Sequence, residues 1–151
     1  MEAYLNFSNS NIWLEIWPEI VLALGALFIL GFDLFRKNNS SSSGILAIIL
    51  QAALLFIHLF DYLAWHHTFD RDTFAGMLNH GIQEDIMRSF FLLSSLLVSI
   101  LGHQYLKGRK LRSGEFHHLT MLATAGLMIL VQSNHFLMLF VALETVAVCF
   151  Y

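Results

Sequence analysis

Long apolar stretches separated by short polar segments dominate the pattern along the chain. Five such stretches occupy residues 18–35, 44–65, 86–106, 116–132 and 135–151. The first three hold about 18 to 22 residues, the length that an α-helix needs to cross a bilayer, and the last two lie near the lower limit of that length. The pattern therefore predicts an all-α membrane protein of about five transmembrane helices, forming one transmembrane domain over residues 1–151.

The composition agrees with this class of protein. Hydrophobic residues make up 57% of the chain and charged residues 13%, whereas soluble domains carry about 25% charged residues. Such a chain cannot cover a water-soluble globule, so the lipid bilayer is its first predicted partner. The net charge of -3 gives no indication of a nucleic-acid partner. Cys149 is the only cysteine, which excludes an internal disulfide and a cysteine metal site.

The basic residues predict the orientation in the membrane. Those that follow the first and third stretches lie on the same side, because two spans separate them. The positive-inside rule places that side in the cytoplasm, with the N-terminus and the segment 66–85 outside. Residues 1–18 lack Lys and Arg, so the N-terminus does not resemble a signal peptide and we expect the first apolar stretch, 18–35, to stay in the mature protein. The six basic residues on the predicted cytoplasmic side are Arg36, Lys37, Lys107, Arg109, Lys110 and Arg112.

Two polar segments between the spans carry local structural signals. The segment 66–85 is the sizeable piece outside the membrane, and its residues around 76–81 suit either a short hairpin or an interfacial turn. The sequence leaves both alternatives open. The serine tract 40–43 is predicted to be a flexible link.

Glu144 is the acidic residue that lies deepest in an apolar stretch. It stands ten positions into the fifth stretch, or about 15 Å along a helix axis, close to the predicted midplane. A charged side chain there costs roughly 2.5 to 3.5 kcal/mol. We therefore predict that Glu144 belongs to a proton or ion pathway. The alternative is a neutral glutamic acid that only hydrogen-bonds to a neighbouring helix.

The sequence offers no deep cation as a partner for Glu144. All three lysines lie in loops, and the arginines lie in loops or near a span end. Either a cation comes from elsewhere, or the site works as a neutral acid. The other charged residues within spans lie close to a span end, where we expect them to reach headgroups or water. Among these, Glu19 follows Pro18 and is expected to complement the positive end of the first helix.

Other polar residues receive more modest predictions. The adjacent pairs His66–His67 and His117–His118 point about 100° apart on a helix, which is poor geometry for one metal ion, so no metal site is predicted. His58 and His103 are expected at the interface, with a proton relay as the alternative. Gln51 is expected to hydrogen-bond between helices. Close helix packing is predicted at the small residues Ala123, Thr124, Ala125, Gly126, Ala142, Thr145 and Ala147.

Two segments resemble a known family. They are WPEIVLALGALFILGFDLF at 17–35 and GEFHHLTMLATAGLMILVQSNHFLMLFVALETVAVCFY at 114–151. Together they resemble subunit N of proton-pumping NADH-quinone oxidoreductase, the respiratory complex I, and YLKGRKLRSGEF at 105–116 resembles that family's basic cytoplasmic loop. The block around Glu144 is shared with sister subunits and with multisubunit sodium/proton antiporters. The first block favours subunit N, whereas Asp85-Ile86 departs from the family's Asp followed by an aromatic residue.

The resemblance implies an antiporter-like fold of about fourteen helices, of which this chain is an N-terminal third and a fragment. It gives Glu144 the role of the proton-pathway glutamate, paired with a lysine further along the full subunit. It implies that the enzyme is the whole NADH:quinone oxidoreductase, a translocase in the cell inner membrane. This chain would then bind no cofactor and contact other membrane-arm subunits, with NADH, FMN, iron–sulfur clusters and quinone on the rest of the complex.

Three alternatives stay open from the sequence. The first is a membrane subunit of a multisubunit sodium/proton antiporter, which has the same fold. The second is a small homodimeric drug/proton exchanger with one buried glutamate, although such proteins place that glutamate in the first of four spans. The third is a structural membrane-arm subunit in which Glu144 has no pathway role.

Overall fold

A computed structural model of the chain describes residues 16–35, 40–64, 71–73, 76–109 and 114–151. Within these ranges the chain forms helices at every predicted apolar stretch, so the prediction of five helices is confirmed. Two short strands lie between the second and third helices. The helices are α1 (Trp17–Phe35), α2 (Ser40–Ala64), α3 (Ile82–Arg109), α4 (Gly114–Gln132) and α5 (Phe136–Phe150), and the strands are β1 (Arg71–Thr73) and β2 (Leu78–His80).

Three helical segments in the described ranges are long and apolar enough to cross a membrane: Ser43–Asp61, Ile82–Gly108 and Gly114–Gln132. The apolar helix α5 is shorter, with 15 residues. Two helices, α2 and α3, begin four residues before the predicted apolar stretches. Acidic residues in the first turn of α3 favour its early start, because they complement the positive helix end. The serine tract forms the first turn of α2, so the prediction of a flexible link there is wrong. Serine is well suited to helix starts.

Helices α1 to α4 pack around one apolar core, and α4 lies at its centre. It contacts α1, α2 and α3 within the core and α5 on its other side. This arrangement explains why α4 has many buried residues, whereas α5 buries only Ala142 and Cys149. The core is built from the buried side chains of Leu22, Ile29, Leu54, Leu92, Met121 and Met128.

Small residues bring α4 and α5 close together. A Cβ atom added at Gly126 would lie 2.9 Å from Cγ2 of Val146 and 3.6 Å from the carbonyl oxygen of Ala142. Ala123 and Ala142 are both buried. The predicted close packing is confirmed for these residues, but Ala147 is exposed and lies outside the contact.

The segment after α2 adopts the hairpin alternative. Strands β1 and β2 pair antiparallel, and Gly76 between them has a φ of 80°, a left-handed conformation that glycine adopts without strain. The hairpin docks on the turn between α4 and α5. Leu78 forms a bridge with Ser133, and the backbone N–H of Asn134 donates to the carbonyl of Met77 at 2.9 Å. The hairpin therefore caps one end of the helical bundle.

Candidate functional site

Glu144 lies near the middle of α5, on the side of the helix that faces away from α4. One helical turn before and after it stand Phe140 and Val148, which are 54% and 69% exposed, and Glu144 itself is exposed. A single carboxyl group thus sits in an otherwise apolar, uncovered helix face. At the predicted midplane such a face would be unfavourable against lipid, because an isolated charge in hydrocarbon is costly.

The ion pairs formed by the described residues do not include Glu144. Its α5 neighbour Thr145 donates a hydrogen bond to the carbonyl of Val141 at 2.8 Å, within the helix. The expectation that a cation from elsewhere faces Glu144 therefore stays a prediction.

A buried ion pair joins α1 to α3 at the hairpin end of the bundle. Arg88 donates from Nε to Oε1 of Glu19 at 3.0 Å and from Nη2 to Oε2 at 3.1 Å. Both side chains are almost fully buried, with residue exposures of 4% and 2%. This two-point contact is the geometry in which a guanidinium and a carboxylate bind most strongly.

Two further side chains complete this polar cluster. The side-chain amide of Gln132, at the end of α4, donates to Oε1 of Glu19. Arg88 also donates from Nη1 to Oδ1 of Asp85 at 3.0 Å. Because both oxygens of Glu19 accept charge-assisted hydrogen bonds, we interpret the cluster as a structural lock between α1, α3 and α4.

This lock was not predicted from the sequence. The expectation that charged residues near span ends reach headgroups or water is wrong for Glu19 and Arg88. The available signal was the predicted topology, which places the starts of α1 and α3 on the same side of the membrane. The opposite charges at those two helix starts lie at the same level of the bundle. Helix packing directs both side chains toward the interior of the bundle.

His80, in the hairpin, lies beside the lock. Burial of the imidazole, the larger cause, and the positive charge of Arg88 together lower the pKa of His80 from 6.5 to about 4, while the carboxylate of Asp85 acts in the opposite direction. The ring is therefore neutral at neutral pH.

Polar side chains also line the contact between α2 and α3. Gln51 donates from Nε2 to Oγ of Ser95 at 2.9 Å, which confirms the predicted interhelical bond. His58 is only 7% exposed, and its Nε2 lies 3.4 Å from the carbonyl oxygen of Asp85. The first turn of α3 thus covers His58, and its expected position near the membrane interface stays a prediction.

Of the other histidines, His66 and His67 lie outside the described residues, and those within them take separate roles. His135 caps the start of α5, where its Nδ1 accepts from the backbone N–H of Leu137 at 3.2 Å. His103 and His117 meet inside the bundle, with ring centroids 5.9 Å apart. Among the described residues, no group of three or more His, Cys, Asp or Glu side chains is arranged to hold a metal ion.

Curated relatives match the chain over nearly its whole length. NADH-quinone oxidoreductase subunit N 1 of Opitutus terrae is 38% identical over 100% of this chain and 30% of its own length. Subunit N of Xanthomonas euvesicatoria is 33% identical over 89% of this chain and 27% of its own. The chloroplastic NAD(P)H-quinone oxidoreductase subunit 2 of Mesostigma viride is 31% identical over 90% of this chain and 26% of its own. No family model matches the chain.

The helices and these matches define the class: a multi-pass helical membrane protein. Within that class, the chain belongs to the family of NADH-quinone oxidoreductase subunit N. It spans about 30% of the length of the curated relatives that it matches.

Proposed function

We propose that this chain is the N-terminal part of an antiporter-like subunit that translocates protons in NADH-quinone oxidoreductase. The subunit would couple electron transfer from NADH to quinone to proton movement. The observation that carries this proposal is the position of Glu144, a carboxyl group in the middle of the uncovered apolar face of α5. The names of the relatives support the choice of complex.

The proposed chemistry is the binding and release of one proton by Glu144. In hydrocarbon a carboxyl group is uncharged unless a cation lies near it. The approach of a cation, which the family resemblance predicts to be a lysine of the full subunit, favours release of the proton. Its withdrawal favours uptake. Alternation between these two arrangements moves a proton without any redox group in this chain.

The remaining parts of the proposal concern the surroundings of the chain. NADH, FMN, iron–sulfur clusters and quinone are bound by the rest of the complex, and other membrane-arm subunits are the partners. The protein lies in the cell inner membrane with its N-terminus outside, as the distribution of basic residues indicates. Of those residues, Arg36, Lys37, Lys110 and Arg112 lie outside the described part of the structure.

Substitutions at Glu144 in the full-length subunit test the proposal. Glu144→Gln keeps the size of the side chain but cannot release a proton, so we expect proton pumping and the coupled quinone reductase activity to fall to a small fraction of wild type. Glu144→Asp keeps the acid and should retain part of both. Assembly should survive, because Glu144 makes no contact within the described helices that the amide would break.

The measurement is proton uptake and NADH oxidation by membrane vesicles, normalised to the amount of assembled complex. Glu115→Gln is the matched control, since Glu115 is exposed in the first turn of α4. Normal pumping by assembled Glu144→Gln would contradict the proposal and favour a structural subunit. Sodium-dependent transport that is lost in the same variant would favour the sodium/proton antiporter. Transport of cationic drugs would favour the small exchanger.

A further inference from the structure

The buried His117 and the partly buried His103 form a pair at the end of the bundle opposite the hairpin. His103 comes from the last turns of α3 and His117 from the first turn of α4. Gly44, near the start of α2, lies over both rings. A Cβ atom at this position would be 2.4 Å from Nδ1 of His103 and 2.8 Å from Nε2 of His117. The absence of a side chain at Gly44 is therefore what keeps space beside the two imidazoles.

The ring nitrogens of this pair have no hydrogen-bond partner in the described parts of the chain. This holds for both nitrogens of His117, which is 0% exposed, and for Nδ1 of His103. The two rings do not bond each other. Leaving a buried polar group without a partner costs about 1 to 3 kcal/mol, and buried water is the usual partner of such groups. Three orphaned nitrogens around one glycine therefore indicate a site for internal water.

The polar surface continues inward from the pair along α2 and α3. Ser99 lies one turn from His103 on α3, and its Oγ is also buried without a partner in the described chain. Oε1 of Gln51, on α2, is in the same situation. This row of polar side chains ends at the apolar core residues Leu54 and Leu92. It thus reaches about halfway through the bundle from the histidine end and stops there.

We propose that His103 and His117 form a hydrated proton-holding site, in which internal water bridges the two rings and the pair exchanges one proton with the predicted cytoplasmic side. The proton comes from water at that end of the bundle, binds to an imidazole nitrogen, and passes through the bound water to the proton pathway of the full subunit. The binding of water stands on the geometry alone. The proton-holding role deepens the proposed proton translocation and rests on it.

The charged groups at the same end of the bundle agree with one bound proton. Asp33 of α1 lies against Gly114, where an added Cβ atom would be 2.4 Å from its Oδ2, and its Oδ1 accepts from Ser43 of α2 at 3.5 Å. The other titratable groups at this end of the described helices are Tyr105, Lys107 and Arg109 on α3 and Glu115 and His118 on α4. Asp33 supplies a negative charge for an imidazolium in this layer. Two imidazolium ions would repel each other, so the pair holds one proton.

The first test is a cryo-EM map of the full-length subunit in its complex, at a resolution that shows internal waters elsewhere in the membrane arm. The expected result is non-protein density within hydrogen-bond distance of a ring nitrogen of each histidine. Rings that are packed dry, in a map that shows other internal waters, would overturn the proposal. This test needs no variant, so it does not depend on the folding of a mutant.

The second test compares proton pumping in two matched pairs of variants. Gly44→Ala fills the space beside both rings, whereas Gly31→Ala adds a methyl group with no atom within 4 Å. His117→Gln removes the proton-holding ring, whereas His118→Gln changes its partly exposed neighbour. We expect loss of most of the pumping in the first member of each pair, per assembled complex, and a wild-type rate in the second. We also expect His117→Gln to change the pH profile of pumping.

The outcomes separate this inference from the proposed function. Wild-type pumping in both Gly44→Ala and His117→Gln, together with loss in Glu144→Gln, would overturn the proton-holding role and leave the proposed function standing. Wild-type pumping in Glu144→Gln with bridging density at the histidines would refute the proposed function and leave the water site standing.

Discussion

Glu19 and Glu144 are the same side chain in opposite surroundings. Glu19 is buried and accepts hydrogen bonds on both carboxylate oxygens from Arg88, with a further bond from Gln132. Glu144 lies on an uncovered apolar face, without an ion pair in the described chain. A carboxylate that is held at both oxygens contributes to a fixed structure, whereas one without a fixed partner is available to bind a proton. The surroundings of the two side chains therefore distinguish the structural carboxylate of Glu19 from the proposed functional carboxyl group of Glu144.

The Glu19–Arg88 pair gives a stability prediction. Arg88→Leu alone should destabilise the full-length protein by about 3 to 5 kcal/mol, because it leaves a buried carboxylate without its cation. The double variant Glu19→Leu, Arg88→Leu should be much less destabilised, since neither charge remains buried. Thermal unfolding in detergent measures both, with Lys107→Leu as the control because Lys107 is an exposed base on the same helix. A double variant as unstable as Arg88→Leu would argue against a pairwise lock.

At the scale of elements, the hairpin is held in place by its contacts with the turn between α4 and α5. Three-residue strands are too short to be stable alone. Here β2 is anchored by the buried Leu78 and by the bond from Asn134 to Met77. His80 ends the same strand, and burial of its imidazole lowers its pKa. The stability of this element is therefore linked to pH.

The direction of that link follows from the lowered pKa of His80. Above pH 6.5 the imidazole is neutral in both the folded and the unfolded chain. Between 6.5 and about 4 the unfolded chain binds a proton that the folded chain does not bind, so stability falls as the pH is lowered through this range. Hydrogen exchange of the β2 amides at pH 7 and pH 5, corrected for intrinsic rates, should show looser protection at pH 5. His80→Gln should lessen the difference, and an unchanged difference would refute the link.

At the scale of the whole molecule, four helices form a packed bundle and the fifth leaves one of its faces uncovered. Helices α1 to α4 share one core, whereas α5 lies outside it against α4. The exposed faces of the helices carry large apolar side chains, among them Phe28, Phe56, Phe90 and Phe140. Those faces suit lipid or other protein helices. The face of α5 that carries Glu144 differs from them by its charge, so we expect protein rather than lipid to cover it.

The proposed orientation is tested by fusions at two positions. A reporter that is active only in the cytoplasm should be active when fused after Arg112 and silent when fused near Asp72, because six of the eight basic residues follow the first and third spans. The reverse pattern would overturn the orientation. It would also move the histidine pair to the outer side of the membrane.

The sequence by itself determined the class of protein, the five helices and the isolation of Glu144 within an apolar stretch. These features follow from composition and from the length of each stretch, which are local properties that the bilayer constrains strongly. The family resemblance rests on the same kind of local signal. An interhelical hydrogen bond of Gln51, here to Ser95, could also be predicted, because a lone amide inside a span needs a partner on another helix.

The tertiary structure alone decided which polar residues meet. Glu19 and Arg88 are 69 positions apart, and each one read by itself is an ordinary charge near a helix end. His103 and His117 lie on different helices, and the role of Gly44 depends on how α2 crosses both. Hydrophobic pattern specifies which segments enter the membrane, but the rotation of each helix about its axis is set by side-chain packing. That rotation buries Glu19 and Arg88, each of which was expected to reach headgroups or water. It also places three unpartnered ring nitrogens of His103 and His117 beside Gly44.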